Sequence, residues 1–129
     1  MLLVKAHLGP STVHGTGLFA SEFIAAGTTI WKFDERVDRK FTRAEREALP
    51  EPARSFVATY SYPEEVGSDV YYLDGDHARF MNHSPTPNTS CIVDTVAVRD
   101  IQAGEELLCD YDEFHPGHTL FDRPAQDIR

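Results

Sequence analysis

Cysteine is nearly missing from this chain: only Cys91 and Cys109 occur in 129 residues. That excludes a disulfide framework and any closed zinc site built from cysteine alone. Long apolar runs are missing too. Met1-Leu2-Leu3-Val4-Lys5 is too short for the apolar region of a signal peptide, and no stretch approaches the ~20 residues of a membrane span. Basic residues are outnumbered, 12 Lys and Arg against 21 Asp and Glu, for a net charge of −9. Unaided nucleic-acid binding needs clustered cations, so the composition argues against it; a basic protein or peptide is the better-matched partner, although solubility alone also accounts for the acidity. These absences predict a soluble, cytoplasmic protein without membrane contact, or a nuclear one in a eukaryote.

What is present suffices for one folded domain over 1–129: hydrophobic residues make up 41% of the chain and include eight phenylalanines. Strand candidates are Leu2–Lys5, Leu18–Ala20, Thr28–Phe33, Val70–Leu73, Cys91–Val93, Thr95–Val98 and Glu106–Cys109. Two I-x-A-G turns, Ile24–Gly27 and Ile101–Gly104, separate strands. Thr42 and Glu45 form a capping-box pattern, which predicts a helix from Arg43 to about Leu49, stopped at Pro50. A second short helix after Pro52 places Phe56 and Tyr60 on one face at i and i+4. The fold class is therefore mostly β with a small helical insert over about 40–62.

Between these strands lies a polar run in an apolar frame, Arg79-Phe80-Met81-Asn82-His83-Ser84-Pro85-Thr86-Pro87-Asn88-Thr89. Two prolines exclude a helix interior, and the turn formers predict an ordered loop anchored by Phe80 and Met81. Asn82, His83, Ser84 and Asn88 are costly to bury without partners, so the loop is either a ligand site or a surface turn with an Asx cap at Asn88. Near the start, Gly15-Thr16-Gly17 is either an ordinary turn or a place where backbone lies close to a bound molecule.

Two long stretches taken together narrow this choice. RFMNHSPTPN at 79–88 and RDIQAGEELLCDY at 99–111 closely resemble the paired signature of SET-domain lysine methyltransferases, and HGTGLFA at 14–20 is similar to that family's glycine-containing loop. The matches span Gly15 to Tyr111. The resemblance implies small curved sheets around a pseudoknotted C-terminal segment, with S-adenosylmethionine as methyl donor. It implies that Tyr111 is the catalytic tyrosine, and that Gly15, Thr16, Gly17, Leu18, Arg79, Asn82 and His83 bind the donor. In the family the insert walls the substrate groove, which makes Phe56, Tyr60 and Tyr62 groove candidates. The tail 112–129 lacks the cysteine-rich module that closes the lysine channel in many relatives, so its aromatic residues, Phe114 and Phe121 among them, or a partner subunit take that task; self-association as a homodimer is expected. One departure from the signature is Pro85, which stands where the family has cysteine.

The chemistry requires a neutral amine. Only roughly one lysine in a few thousand is neutral at pH 7. An apolar channel and a neighbouring sulfonium both disfavour ammonium, after which alignment is the main task. Two rival readings stay open. One is a catalytically inactive SET-fold module that binds donor or a basic peptide. The other is a metal-dependent enzyme drawing on His77, His83, His115, His118, Asp74 or Asp76, although the helix breakers in His115-Pro116-Gly117-His118 disagree with paired-histidine metal motifs.

Overall fold

The structure, a computed structural model, describes residues 1–114. Strand β1 (Ala6–Pro10) pairs antiparallel with β2 (Thr16–Ala20) in an unbroken register from Ala6 opposite Ala20 to Pro10 opposite Thr16. β3 (Thr29–Trp31) follows the first I-x-A-G turn. The insert opens with β4 (Arg39–Thr42), continues through α1 (Arg43–Glu47) and α2 (Ala53–Tyr60), and closes with β5 (Tyr62–Pro63). The capping box forms: Glu45 N–H donates to Thr42 Oγ1 at 3.1 Å and Thr42 N–H to Glu45 Oε1 at 2.8 Å. β6 (Val70–Leu73) lies between β4 and β5, so insert and return strand form one three-stranded sheet.

After a 3₁₀ turn at His77–Phe80 comes β7 (Asn82–His83), and then β8 (Thr89–Ser90), β9 (Thr95–Ala97) and β10 (Leu108–Cys109). A second sheet has the order β3-β9-β8. β10 runs parallel to β7, with Leu108 opposite Asn82 and Cys109 opposite His83. The residues just before β10 also bond to β2, through Leu107 N–H to Leu18 O at 2.7 Å and Ala20 N–H to Glu105 O at 2.9 Å. The C-terminal segment therefore lies between the N-terminal hairpin and the polar run, far from both in sequence. Leu18, Ile30, Ile101 and Leu107, each fully buried, form the core beneath it. Among the described residues no helix is long and apolar enough to cross a membrane.

Two strand expectations fail. Leu2–Lys5 is not a strand; only Leu2 bridges to Trp31, and the strand begins at Ala6. Gly9 and Pro10 enter it because pairing with β2 overrides their turn preference. Cys91–Val93 is likewise a turn, with Ile92 and Val93 exposed at its tip, and the strand is Thr89–Ser90. Side chains decide this second case. Asn88 Nδ2 donates to Glu106 O at 2.8 Å, Asn88 Oδ1 accepts from Leu108 N–H at 2.8 Å, and Thr89 Oγ1 donates to Leu108 O at 2.8 Å, which fixes pairing two residues early. Asn88 is thus a clamp between segments instead of an Asx cap. The polar run is less irregular than a loop, since it contains both β7 and the start of β8.

Candidate active site

Residues from the three motif stretches converge in two adjoining clusters. The first is a closed polar node. Ser11 N–H donates to Gly15 O at 2.8 Å, and Gly15 has φ of +49°, a conformation that favours glycine. The turn places the carbonyls of His14 and Thr16 against Asn82, whose Nδ2 donates to them at 2.9 and 3.2 Å and to Glu106 Oε2 at 3.1 Å. Ser11 Oγ reaches both oxygens of Glu106, at 2.8 and 2.9 Å. Gly17 makes room for that carboxylate: a Cβ at this position would lie 2.9 Å from Glu106 Cδ and closer still to Oε2. Its lack of a side chain therefore admits the chain's own Glu106. Leu18 is fully buried in the core and contributes only its backbone. The node also contains an orphan, His14 Nε2, buried without a hydrogen-bond partner.

Tyr111 anchors the second cluster from the 3₁₀ turn Tyr111–Glu113. Its backbone N–H donates to His83 Nδ1 at 3.0 Å, which makes Nδ1 an acceptor and leaves the neutral ring's proton on Nε2. Asp110 Oδ1 lies 3.6 Å from the same nitrogen, beyond hydrogen-bond range. The Tyr111 hydroxyl donates to Met81 O at 2.6 Å. Around its ring stand His83, 5.2 Å away between centroids, and Phe114, 5.6 Å away; Phe114 in turn meets Tyr62 at 5.0 Å. A cavity of about 450 Å³ opens here, lined by Tyr60, Tyr62, Tyr72, Met81, Tyr111 and Phe114 among others.

The cavity lining also carries a buried acid. Tyr62 OH donates to Asp74 Oδ1 at 2.6 Å, and burial pushes the Asp74 carboxyl up to about 7. Burial, reinforced by the Asp74 charge, also raises the Tyr62 hydroxyl well above the ordinary tyrosine value. Arg79 belongs to this cavity and not to the polar node: its Nε and Nη2 donate to Asp74 O at 3.1 and 2.9 Å, and its guanidinium stands 5.2 Å over Phe56. Phe121, His115 and His118 lie outside the described residues. Among the described residues no three His, Cys, Asp or Glu side chains are placed to hold a metal ion.

Of the residues singled out in the sequence, the structure brings Tyr60, Tyr62, Tyr111 and Phe114 around one cavity with His83 against Tyr111, and Gly15, Thr16, Gly17 and Asn82 into the adjoining node. Sequence reasoning missed Glu106 and Ser11, and named Asp74 only as a metal-ligand candidate. Glu106 had a signal, because it stands in the quoted GEEL run. Pro85 disturbs little: Ser84 N–H still donates to Cys109 O at 2.9 Å, and Thr86 N–H caps Ser84 Oγ at 3.0 Å.

A family model described as the SET domain matches residues 15–112. The chain belongs to the SET-domain family. This SET domain is 34% identical over 121 residues to a histone-lysine N-methyltransferase, H3 lysine-4 specific, of Schizosaccharomyces pombe, covering 83% of this chain and 13% of that protein. It is 35% identical over 114 residues to an H3 lysine-4 specific counterpart in Mycosarcoma maydis, covering 78% of this chain and 8% of that protein. It thus spans a small part of the length of these curated relatives. Among solved structures, ctPRC2 in an autoinhibited conformation bound to S-adenosylmethionine matches with a TM-score of 0.64 at 25% identity, over 86% of this chain and 16% of that one. Chaetomium thermophilum Polycomb Repressive Complex 2 bound to GSK126 matches with a TM-score of 0.63 at 26% identity, over the same shares.

Proposed function

We propose that this SET domain is an S-adenosylmethionine-dependent methyltransferase acting on lysine side chains of a protein substrate, with Tyr111 as its catalytic residue. The observation that carries this reading is the fixed Tyr111 hydroxyl. Its single proton is committed to Met81 O, so its oxygen can only accept from a further partner, and a lysine amine in the cavity is such a donor. A hydroxyl held in one orientation aligns the amine lone pair, where positioning contributes most. Loss of water on entering the cavity between Tyr62, Tyr111 and Phe114 disfavours the charged ammonium and so favours the reactive neutral form.

The residues of the polar node fit a bound donor. Exposed backbone at Gly15 and the buried partnerless His14 Nε2 offer polar contacts, and the His83 ring lies against Tyr111. When bound, the donor supplies an electrophilic methyl group on a sulfonium. Asn82 acts first on the protein itself: its amide nitrogen fixes the His14–Thr16 backbone that would face the donor.

The names of the relatives support a histone or another basic protein as substrate, and with it chromatin over cytoplasm as the place of action. A net charge of −9 agrees with a basic partner at long range. Methyl transfer from labelled S-adenosylmethionine onto a panel of histones and other basic proteins, with mass spectrometry to locate the site, tests the reading. Labelled lysine is the expected result. Absence of transfer to every protein in the panel, with the protein folded and donor bound, would overturn it in favour of a binding module.

A further inference from the structure

The cavity beside Tyr111 has a second end, at the insert, and its charge is opposite to that of the whole chain. Three arginines line it: Arg43, Arg46 and Arg79. Its acidic lining consists of Glu64 and Asp74, and Asp74, held near 7, is only partly ionised at neutral pH. In a chain of net charge −9 this local excess of cations is unusual.

The arginines are arranged, not merely present. Arg46 is half-buried, its guanidinium 3.9 Å from the centroid of Tyr71, with Nη1 donating to Ser61 Oγ at 3.2 Å. Arg43 spans Tyr71 OH at 2.8 Å and Asp69 at 2.9 Å, so its charge is already paired. By contrast, among the described residues no carboxylate lies within salt-bridge distance of Arg46 or Arg79. Glu64 is engaged elsewhere, accepting from Ser68 Oγ at 3.1 Å. A guanidinium stacked on an aromatic face has lost much of its freedom before any ligand arrives, and its planar fork suits a carboxylate or phosphate.

We propose that this end of the cavity is an anion subsite centred on Arg46, which selects substrate segments carrying an acidic side chain near the target lysine. The inference rests on reading the cavity as the seat of a lysine-bearing segment. The overall negative charge draws basic proteins from a distance, whereas Arg46 discriminates among their lysines by the residue next to them.

The test uses fluorescent lysine peptides with Glu, phosphoserine, Ala or Lys at each flanking position in turn, read by anisotropy and then by methyl transfer. Wild-type protein is expected to bind the peptide with an acid at the favoured position roughly tenfold more tightly than its Lys counterpart. The Glu and phosphoserine arms show which anion fits. Arg46→Glu should reverse the order, favouring Lys, while Arg46→Lys keeps the acid preference; melting curves establish that both are folded. Equal binding of Glu and Lys peptides by the wild type, or an unchanged order in folded Arg46→Glu, would overturn the subsite. Methyl transfer without acid preference removes the subsite and leaves the proposed function, and acid-selective binding without transfer to any lysine removes the function and leaves the subsite.

Discussion

The polar node and the cavity adjoin, yet they are built in opposite ways. The node is closed on itself but for His14 Nε2: Asn82, Glu106, Ser11 and the His14 and Thr16 carbonyls satisfy one another, and no atom pair is replaceable without leaving a partner unmet. The cavity is open, with an aromatic wall, a raised carboxyl and two arginines, Arg46 and Arg79, that have no acid partner among the described residues. A site that must hold one invariant molecule can be rigid, whereas a site that receives a variable protein segment needs chemistry left over for it. The contrast predicts that damage at the node acts on folding and donor affinity, and that damage at the cavity acts on turnover and substrate choice.

The largest effects on stability should come from the node. Gly17→Ala places a methyl group against the Glu106 carboxylate, and Asn82→Ala leaves that carboxylate and two carbonyls short of a donor. Each is expected to cost roughly 1–3 kcal/mol, seen as a lowered melting temperature, and to weaken donor binding in calorimetry. Melting curves indistinguishable from the wild type would show that the node is not under tension and would erase the contrast.

Asp74 sharpens the other side. A carboxyl whose folded value is about 7, against an ordinary 3.8, binds its proton more tightly in the folded state. Its contribution to stability is therefore fully present below about 3.8 and is lost as pH rises through about 7. Asp74→Asn does not titrate and can still accept from Tyr62, so relative to wild type it should gain stability steadily from about pH 4 to pH 7 and by a constant amount above. Melts of both proteins across that window measure the difference, and a difference that does not vary with pH would contradict the raised value.

The smallest effect is expected at Thr42, whose capping box starts the insert away from the polar node. Thr42→Ala should cost about 1 kcal/mol in thermal melts and leave donor binding unchanged. A change in donor affinity would mean that insert and node are coupled.

Much of the node was legible in sequence because its chemistry stands in compact runs. Asn82, His83 and Tyr111 lie within two long motifs that point to a site only when taken together, since the polar run alone also reads as a surface turn, and the Thr42–Glu45 pattern is local by nature. Glu106 was visible as a letter in GEEL but its task was not, since Ser11 and Asn82 reach it only after β10 lies down beside β7. Strand limits failed for the same reason: Gly9 and Pro10 are held extended by β2, and Thr89 by Leu108, which no local preference encodes. The cavity's far end was the least legible. Arg46, Tyr71 and Asp74 come together only through the β4-β6-β5 sheet, and their spacing in the chain resembles no motif.

Tyr111→Phe provides the most direct measurement of the central claim. It removes one hydroxyl and almost no volume, so calorimetry should find S-adenosylmethionine affinity within a few-fold of wild type, while label transfer to a lysine substrate falls about a hundredfold or more. Unchanged transfer in the folded, donor-bound variant would contradict the account, because the hydroxyl fixed by Met81 would then have no part in the reaction.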